Sequence, residues 1–451
     1  MPIRTDRLQH QYRLIRDCLE GEDAIRDQGK LYVPSPDGMS ATNYRHYLDR
    51  GCWYGAPQAT LRALTGIALR KAPVIRLPAR LEPMRLNATH ENAPLTILIE
   101  EMVREVTSMG RFGVLLDFPP AGNSVNTVPH IATFRAESIE SFDTAYVDGR
   151  RVLTKVHLAS DEKFDNSDVY YELSLEGGAV YTFKRFIRDE HKNRVDVGEE
   201  VVPTVNGRTL NYIPFAMISP EGRKPEHVTP PMLALCRVAL SHFKNSCDRE
   251  HAIWLTSSPT PVVAGSIPAN KVPTTLGSGN LWLLPEGATA FLLEFSGAGV
   301  AAQRELMEEK VATMATLGAR LVNVSINRNE APEVAASRTR SELSLLHDVI
   351  VNCEEAVNWL LRIAAEWVGA SADEVNVTLS KDLIEATMDP RMIEAQMRAW
   401  QAGLLSRSTV YENFQQGEIA RADRTYEEEK EMIDDEGGDL SSPIIGAKPA
   451  A

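Results

Sequence analysis

The chain has 451 residues, of which 43% are hydrophobic and 24% are charged, a composition typical of a globular protein with two or three structural units. Its formal net charge of −14 is uneven, because residues 427–439 hold eight acidic residues and one lysine and so supply −7. The remainder is only mildly acidic, which argues against tight capture of nucleic acid, and no apolar run approaches the roughly 18 residues of a membrane span. Since no apolar signal core follows the N-terminus, we expect a protein made in the cytoplasm without membrane contact.

The first half of the chain predicts helices followed by an antiparallel sheet. Apolar residues at helical spacing predict helices over residues 44–53, 56–70 and 93–109. The stretch RFGVLLDF, which follows Gly110 and ends at two prolines, predicts a strand. From residue 131 to 219 the apolar period changes to two, with turn residues between the segments, and this pattern predicts antiparallel strands.

The second half predicts long helices around a small insert. Thr229, followed by two prolines, is a helix start signal, and an apolar stripe then continues to about residue 254. In the insert over residues 256–299, the runs PVVAG, NLWLLP and AFLLEF predict short strands. Further helices are predicted over residues 300–322, 337–369, 390–402 and 406–416. The acidic run after them is interpreted as a solvated tail, and the final residues 441–451 show no burial pattern.

A polar segment, VNVSINRNEAPEVAAS, separates two long predicted helices. Loops longer than roughly 12 residues in compact proteins are usually functional or disordered. Its candidate residues are mostly uncharged hydrogen-bonding groups, and its one arginine is balanced by nearby acids. The setting predicts a functional loop rather than a plain connection, and its candidate residues are Asn323, Ser325, Asn327, Arg328, Asn329 and Glu330.

Motifs for enzymatic chemistry are scarce. The five cysteines are scattered without CxxC spacing, which predicts reduced and mostly buried thiols, and the ten histidines are isolated. No phosphate-binding GxxxxGK[ST] loop or GxSxG elbow occurs, and GSGNLW lacks the third glycine of a dinucleotide fingerprint. Asp117, directly after the apolar run FGVLL, is the best catalytic or metal-binding candidate, although it is equally an ordinary strand-ending residue. We therefore expect no enzyme, no cofactor and no bound metal.

Five segments together resemble the portal proteins of tailed bacteriophages, the head-to-tail connectors through which DNA is packaged. They consist of apolar and glycine-rich structural signatures spread over most of the chain up to about residue 370. The segments are YRHYLDRGCWYGAPQATLRALTGIALRKAPVIRLP (residues 44–78), GRFGVLLDFP (110–119), LNYIPFAMISP (210–220), LSHFKNSCDREHAIWLTSSPTPVVAG (240–265) and GSGNLWLLPEGATAFLLEFSGAG (277–299).

This resemblance implies an α+β, portal-type fold. It has a mixed α/β wing, a two-helix stem, a small β-rich clip, a tunnel loop and a short helical crown. The implied divisions are the wing (1–228), stem helix 1 (229–255), the clip (256–299), stem helix 2 (300–322), the tunnel loop (323–336), a long wing helix and return (337–389), and crown-like helices with an acidic disordered tail (390–451).

The resemblance also implies a function. Portal proteins form a homo-oligomeric ring, typically of twelve subunits, at one capsid vertex of the virion, assembled in the host cytoplasm. Such a ring nucleates head assembly with the major capsid and scaffolding proteins, docks the large terminase, conducts double-stranded DNA non-specifically, and then receives a head-tail adaptor. The clip residues expected to dock these partners are Trp282, Pro285 and Glu286. Two hypotheses of other classes remain: a metal-dependent hydrolase that uses Asp117, and a cytosolic scaffold without DNA contact.

Overall fold

The structure, a computed structural model, is a mixed α+β protein. It describes residues 5–117, 128–147, 149–189, 191–205, 207–223, 228–257, 260–266, 281–284, 286–293, 298–322, 344–381, 383, 390–416, 419–421 and 424–435. Within these ranges the chain forms eleven α-helices, and its strands assemble into several small sheets. The predicted α+β class is therefore confirmed.

Helices dominate the first 117 residues, as the sequence predicted. The helix expected at residue 44 begins three residues earlier, because the backbone N–H of Asn43 donates to the Ser40 hydroxyl at 3.3 Å and so caps the helix. Gly110 ends the fifth helix with φ 73°, a conformation that favours glycine. The elements are α1 (Thr5–Glu20), α2 (Glu22–Asp27), α3 (Ala41–Arg50), α4 (Ala56–Ala68), β1 (Val74–Arg76), α5 (Leu95–Met109) and β2 (Phe112–Asp117).

The predicted antiparallel region is confirmed, and its strands belong to three sheets, the smallest of which pairs residues 204–205 with 208–209. A five-stranded sheet has the order β4, β5, β6, β7, β8, so that each strand pairs with its neighbour in the chain, whereas β11 and β3 flank β2 in a second sheet. Asp165 and Asn166, with φ of 48° and 62°, form the turn between β5 and β6. The strands are β3 (His130–Arg135), β4 (Ile139–Val147), β5 (Arg150–Phe164), β6 (Ser167–Glu176), β7 (Val180–Arg188), β8 (Arg194–Val201), β9 (Thr204–Val205), β10 (Arg208–Thr209) and β11 (Phe215–Ile218).

The second half contains the long helices and the small insert. Residues 281–284, from the predicted strand NLWLLP, are not in a strand, because apolar alternation alone does not supply a partner strand to bond with. The elements are α6 (Leu233–Thr256), β12 (Thr260–Ala264), β13 (Thr289–Leu293), α7 (Ala298–Val322), α8 (Ser344–Trp367), β14 (Asn376–Thr378), α9 (Pro390–Gln401), α10 (Arg407–Gln416) and α11 (Tyr426–Asp435).

The first part of the acidic run, interpreted from the sequence as a solvated tail, lies in α11, and no residue of this helix is buried. Thr425 and Glu428 form a reciprocal cap: the Glu428 N–H donates to the Thr425 hydroxyl at 3.3 Å, and the Thr425 N–H donates to the Glu428 carboxylate at 2.7 Å. Acidic residues in the first turn also interact favourably with the helix dipole. Residues 436–451, the predicted disordered end, lie outside the described residues.

Two hydrophobic clusters hold the described body together. In the first, α5 and α8 pack against each other and against the sheets, with Met102, Leu115, Val357 and Leu360 among its buried members. The second joins α1, α3 and α4 to α6 and α7, and it includes Ile15, Leu61, Phe243 and Met314. The apolar faces of helices that are far apart in the chain thus pack together in each cluster. The prediction of mostly buried thiols is confirmed, because Cys18, Cys236, Cys247 and Cys353 are buried and Cys52 is exposed.

Candidate functional site in the stem and its insert

The candidate site is built on α6 and α7, two helices that run side by side. With 24 and 25 residues they are each roughly 36 Å long. The buried or half-buried positions of α7 include Met307, Val311, Met314 and Gly318, a helical repeat that defines one inward face. A Cβ added at Gly318 would lie 3.1 Å from the Thr60 hydroxyl, so α7 also approaches α4 closely. We refer to α6 and α7 together as the stem.

Lys310 joins the two stem helices. Its ammonium group donates to the Ser241 carbonyl at 3.2 Å, to the Ser241 hydroxyl at 2.8 Å and to the Asn245 side-chain oxygen at 2.7 Å. Burial, together with the nearby charge of Lys244, lowers the pKa of Lys310. Three bonds from one α7 side chain to a single turn of α6 fix the register of the pair.

The C-terminal part of α6 packs against α3 through aromatic and charged side chains. The guanidinium of Arg50 lies 4.0 Å from the centroid of the Trp254 ring, and the ring of His251 stacks on Trp254 at 5.9 Å. The Tyr47 hydroxyl donates to the Asp248 carboxylate at 2.6 Å, and burial is the main cause that raises the pKa of Tyr47. These contacts support α6 almost to the point where the insert begins.

In the described part of the insert, β12 and β13 form an antiparallel pair, in which Thr260 lies opposite Leu293 and Ala264 lies opposite Thr289. Of the predicted docking residues, Trp282 is half-buried and Glu286 is exposed, while Pro285 lies outside the described residues. Both described candidates lie in the stretch that leads into β13, and their docking role stays a prediction.

The polar segment between α7 and α8 cannot be placed. All six candidate channel residues, Asn323 to Glu330, fall within residues 323–343, outside the described residues. The described chain stops at Val322 at the end of α7 and resumes at Ser344 at the start of α8. The tunnel-loop assignment therefore stays a prediction.

Asp117 lies at the exposed end of β2, opposite His130 of β3. The His90 and His130 rings are 6.2 Å apart, and burial is the main cause that lowers the pKa of His130, an effect that Asp117 opposes. Across the described ranges, no group of three or more His, Cys, Asp or Glu side chains is arranged to hold a metal ion. Among the same residues, no helix has the length and apolarity needed to span a membrane.

Sequence reasoning missed Lys310 and Arg50. Lys310 precedes Val311 on the apolar stripe of Met307, Val311 and Met314. This position indicated a side chain that packs partly against apolar surface. Its acceptors were not readable, because Ser241 is 69 residues away in the chain. For Arg50 the sequence offered no comparable sign.

Comparison with known proteins finds one family model and a set of solved structures. Residues 231–368, less than a third of the chain, match a family model described as a domain of unknown function (DUF4055), and this range covers α6, the insert, α7 and α8. No curated protein matches. Among solved structures, the chain is similar to one described as "Neck of native GTA particle computed with C12 symmetry", with 12% identity, a TM-score of 0.43, and coverage of 85% of this chain and 97% of that chain.

Proposed function

We propose that this protein is a portal subunit, which assembles into a ring at one capsid vertex and forms the channel through which the genome enters and leaves. The observation that carries the proposal is the stem: two long helices lie side by side, α3 and α4 attach them to a broad α+β body, and a small β insert connects them. This is the order of parts that the portal resemblance implies.

The charge pattern of the stem is compatible with passage of DNA. A strongly basic channel would bind phosphates tightly and hold the duplex in place. On α7, Arg304 pairs with Glu308 at 2.8 Å, and the neighbouring Glu305 and Glu309 are exposed acids. The segment over residues 323–336 adds three asparagines and a serine, which suit weak contacts to phosphates without sequence preference.

The proposed partners follow from the same assignment. The ring would nucleate head assembly with major capsid and scaffolding proteins, dock the large terminase during packaging, and then receive a head-tail adaptor. We assign this docking to the insert, around Trp282, Pro285 and Glu286. The protein would do no covalent chemistry itself, because the terminase supplies the energy for packaging.

Deletion of residues 323–333 tests the channel assignment, with Asp117→Ala as the matched comparison. We expect the deletion variant to form rings as wild type does but to leave heads without DNase-protected DNA, whereas Asp117→Ala packages normally. Wild-type packaging by the deletion variant would reject the loop assignment. Loss of packaging in Asp117→Ala, with rings intact, would instead favour chemistry at Asp117.

A further inference from the structure

The insert is almost uncharged. Residues 256–299 comprise 44 positions, of which only Lys271, Glu286 and Glu294 are charged, whereas 24% of the whole chain is charged. Solvated protein surfaces usually carry roughly 25 to 35% charged residues. The composition therefore indicates that much of the insert surface is covered in the assembled protein.

Large apolar side chains are nevertheless exposed in this region. Leu281 and Leu283 are each 83% exposed, and Phe291 of β13 is 52% exposed. The end of α6 adds Leu255, at 58%. A two-stranded sheet is only marginally stable by itself, so β12 and β13 also need further packing. Exposed apolar patches of this kind mark interaction sites.

We infer that a second copy of this chain covers the patch: the insert of one subunit packs through Leu281, Leu283 and Phe291 against the insert of the next subunit. This inference rests on the proposed function, since a ring repeats the same contact around its axis. It gives Leu281, Leu283 and Phe291 a role different from the partner docking that we assign to Trp282, Pro285 and Glu286.

The chemistry of the patch favours a second copy over a terminase or an adaptor. Permanent homo-oligomer interfaces are apolar and poor in charge, whereas interfaces that form and separate are about as polar as the rest of the surface. A terminase must leave before the adaptor binds, so its docking surface is exposed for part of the assembly. An insert with only three charged residues that meets an identical one in a head-to-tail contact brings few charges to the interface.

The test compares three full-length variants with wild type by native mass spectrometry and negative-stain electron microscopy. The double variant Leu281→Ser, Leu283→Ser removes the apolar contact, while Leu281→Met, Leu283→Met retains it. Leu86→Ser is the matched surface control, because Leu86 is 67% exposed and lies in the first half of the chain. We expect rings from wild type, the Met variant and Leu86→Ser, and mostly monomer from the Ser variant.

Urea unfolding of each monomer separates a contact effect from a folding effect, because side chains this exposed contribute little to the unfolding free energy. Phe291→Ser, in β13, is an independent second variant for which we expect the same loss of rings. Rings from either folded Ser variant at the wild-type concentration would overturn the inference and leave the portal proposal standing. Failure of wild type itself to form rings would contradict the proposed function.

Discussion

Leu360 and Leu283 are the same residue in opposite surroundings. Leu360 on α8 is fully buried between α5 and the sheets, whereas Leu283 in the insert is 83% exposed. The body therefore satisfies its apolar residues within one chain, as a folded unit does. The described part of the insert leaves Leu281 and Leu283 exposed, and this difference is the basis of the proposed contact with a second copy.

The stem lies between these extremes. The part of the stem next to the body belongs to a buried cluster with α1, α3 and α4, and Lys310 forms hydrogen bonds from α7 to α6. Toward the insert, Ile253, Trp254 and Leu255 become exposed. Burial thus decreases along α6 from the body to the insert, and the effect of substitutions on the stability of a single subunit should decrease in the same direction.

The largest effect is expected in the body. Leu360→Ala removes a fully buried side chain and leaves a cavity, so the free energy of unfolding should fall by about 3 to 4 kcal/mol. Urea unfolding followed by circular dichroism measures the change. A loss below about 1 kcal/mol would show that α8 is not packed as tightly as its burial indicates.

The next effect is expected at Glu172, a buried carboxylate of β6. Its oxygen Oε2 lies 2.5 Å from Arg194 Nη1 and 2.6 Å from His157 Nε2. Burial raises the pKa of Glu172, but the hydrogen bonds from Arg194 and His157, with the charges of Arg194 and Lys155, outweigh it and lower the pKa from 4.5 to about 2. The ionised side chain therefore stabilises the folded chain.

Glu172→Gln should accordingly lower the free energy of unfolding at pH 7 by about 2 to 3 kcal/mol. Because the folded-state pKa is the lower one, this contribution is complete above pH 4.5 and is lost as the pH falls toward 2. Unfolding measured from pH 7 to pH 2.5 should show wild type and variant converging at low pH. A constant difference across that range would contradict the assignment.

A smaller effect is expected in the stem. Lys310→Met keeps the aliphatic length but removes three hydrogen bonds to Ser241 and Asn245, which should cost about 1 to 2 kcal/mol of unfolding free energy. Arg304→Met, on the exposed side of the same helix, is the control and should leave stability unchanged. Equal effects of both substitutions would mean that Lys310 does not link the helices.

The smallest effect on a single subunit is expected in the insert. Leu283→Ala should change the unfolding free energy of the monomer by less than about 0.5 kcal/mol, because the side chain is exposed. Ring closure should weaken in the same variant, and native mass spectrometry at falling protein concentration measures this. A large loss of monomer stability would show that Leu283 packs within its own chain.

The sequence predicted most helices of the fold but not their partners, and the helix start predicted at Thr229 was wrong, because α6 begins at Leu233 after Met232. The apolar repeats in α4, α5 and α8 depend on local spacing alone, so the period was sufficient. Helix α11 was missed because the prediction considered only its acidic charge and not the helix cap that Thr425 and Glu428 form. For the site, the position of Trp282 and Glu286 was predictable from chain order, whereas the bonds of Lys310 depend on how two distant segments pack.

Cryo-electron microscopy of the purified full-length protein, with native mass spectrometry of the same sample, tests the central claim most directly. We expect a closed ring with an axial channel surrounded by the stem helices. In this ring, the inserts of neighbouring subunits should be in contact. A preparation that stays monomeric or dimeric under all assembly conditions would contradict the portal assignment.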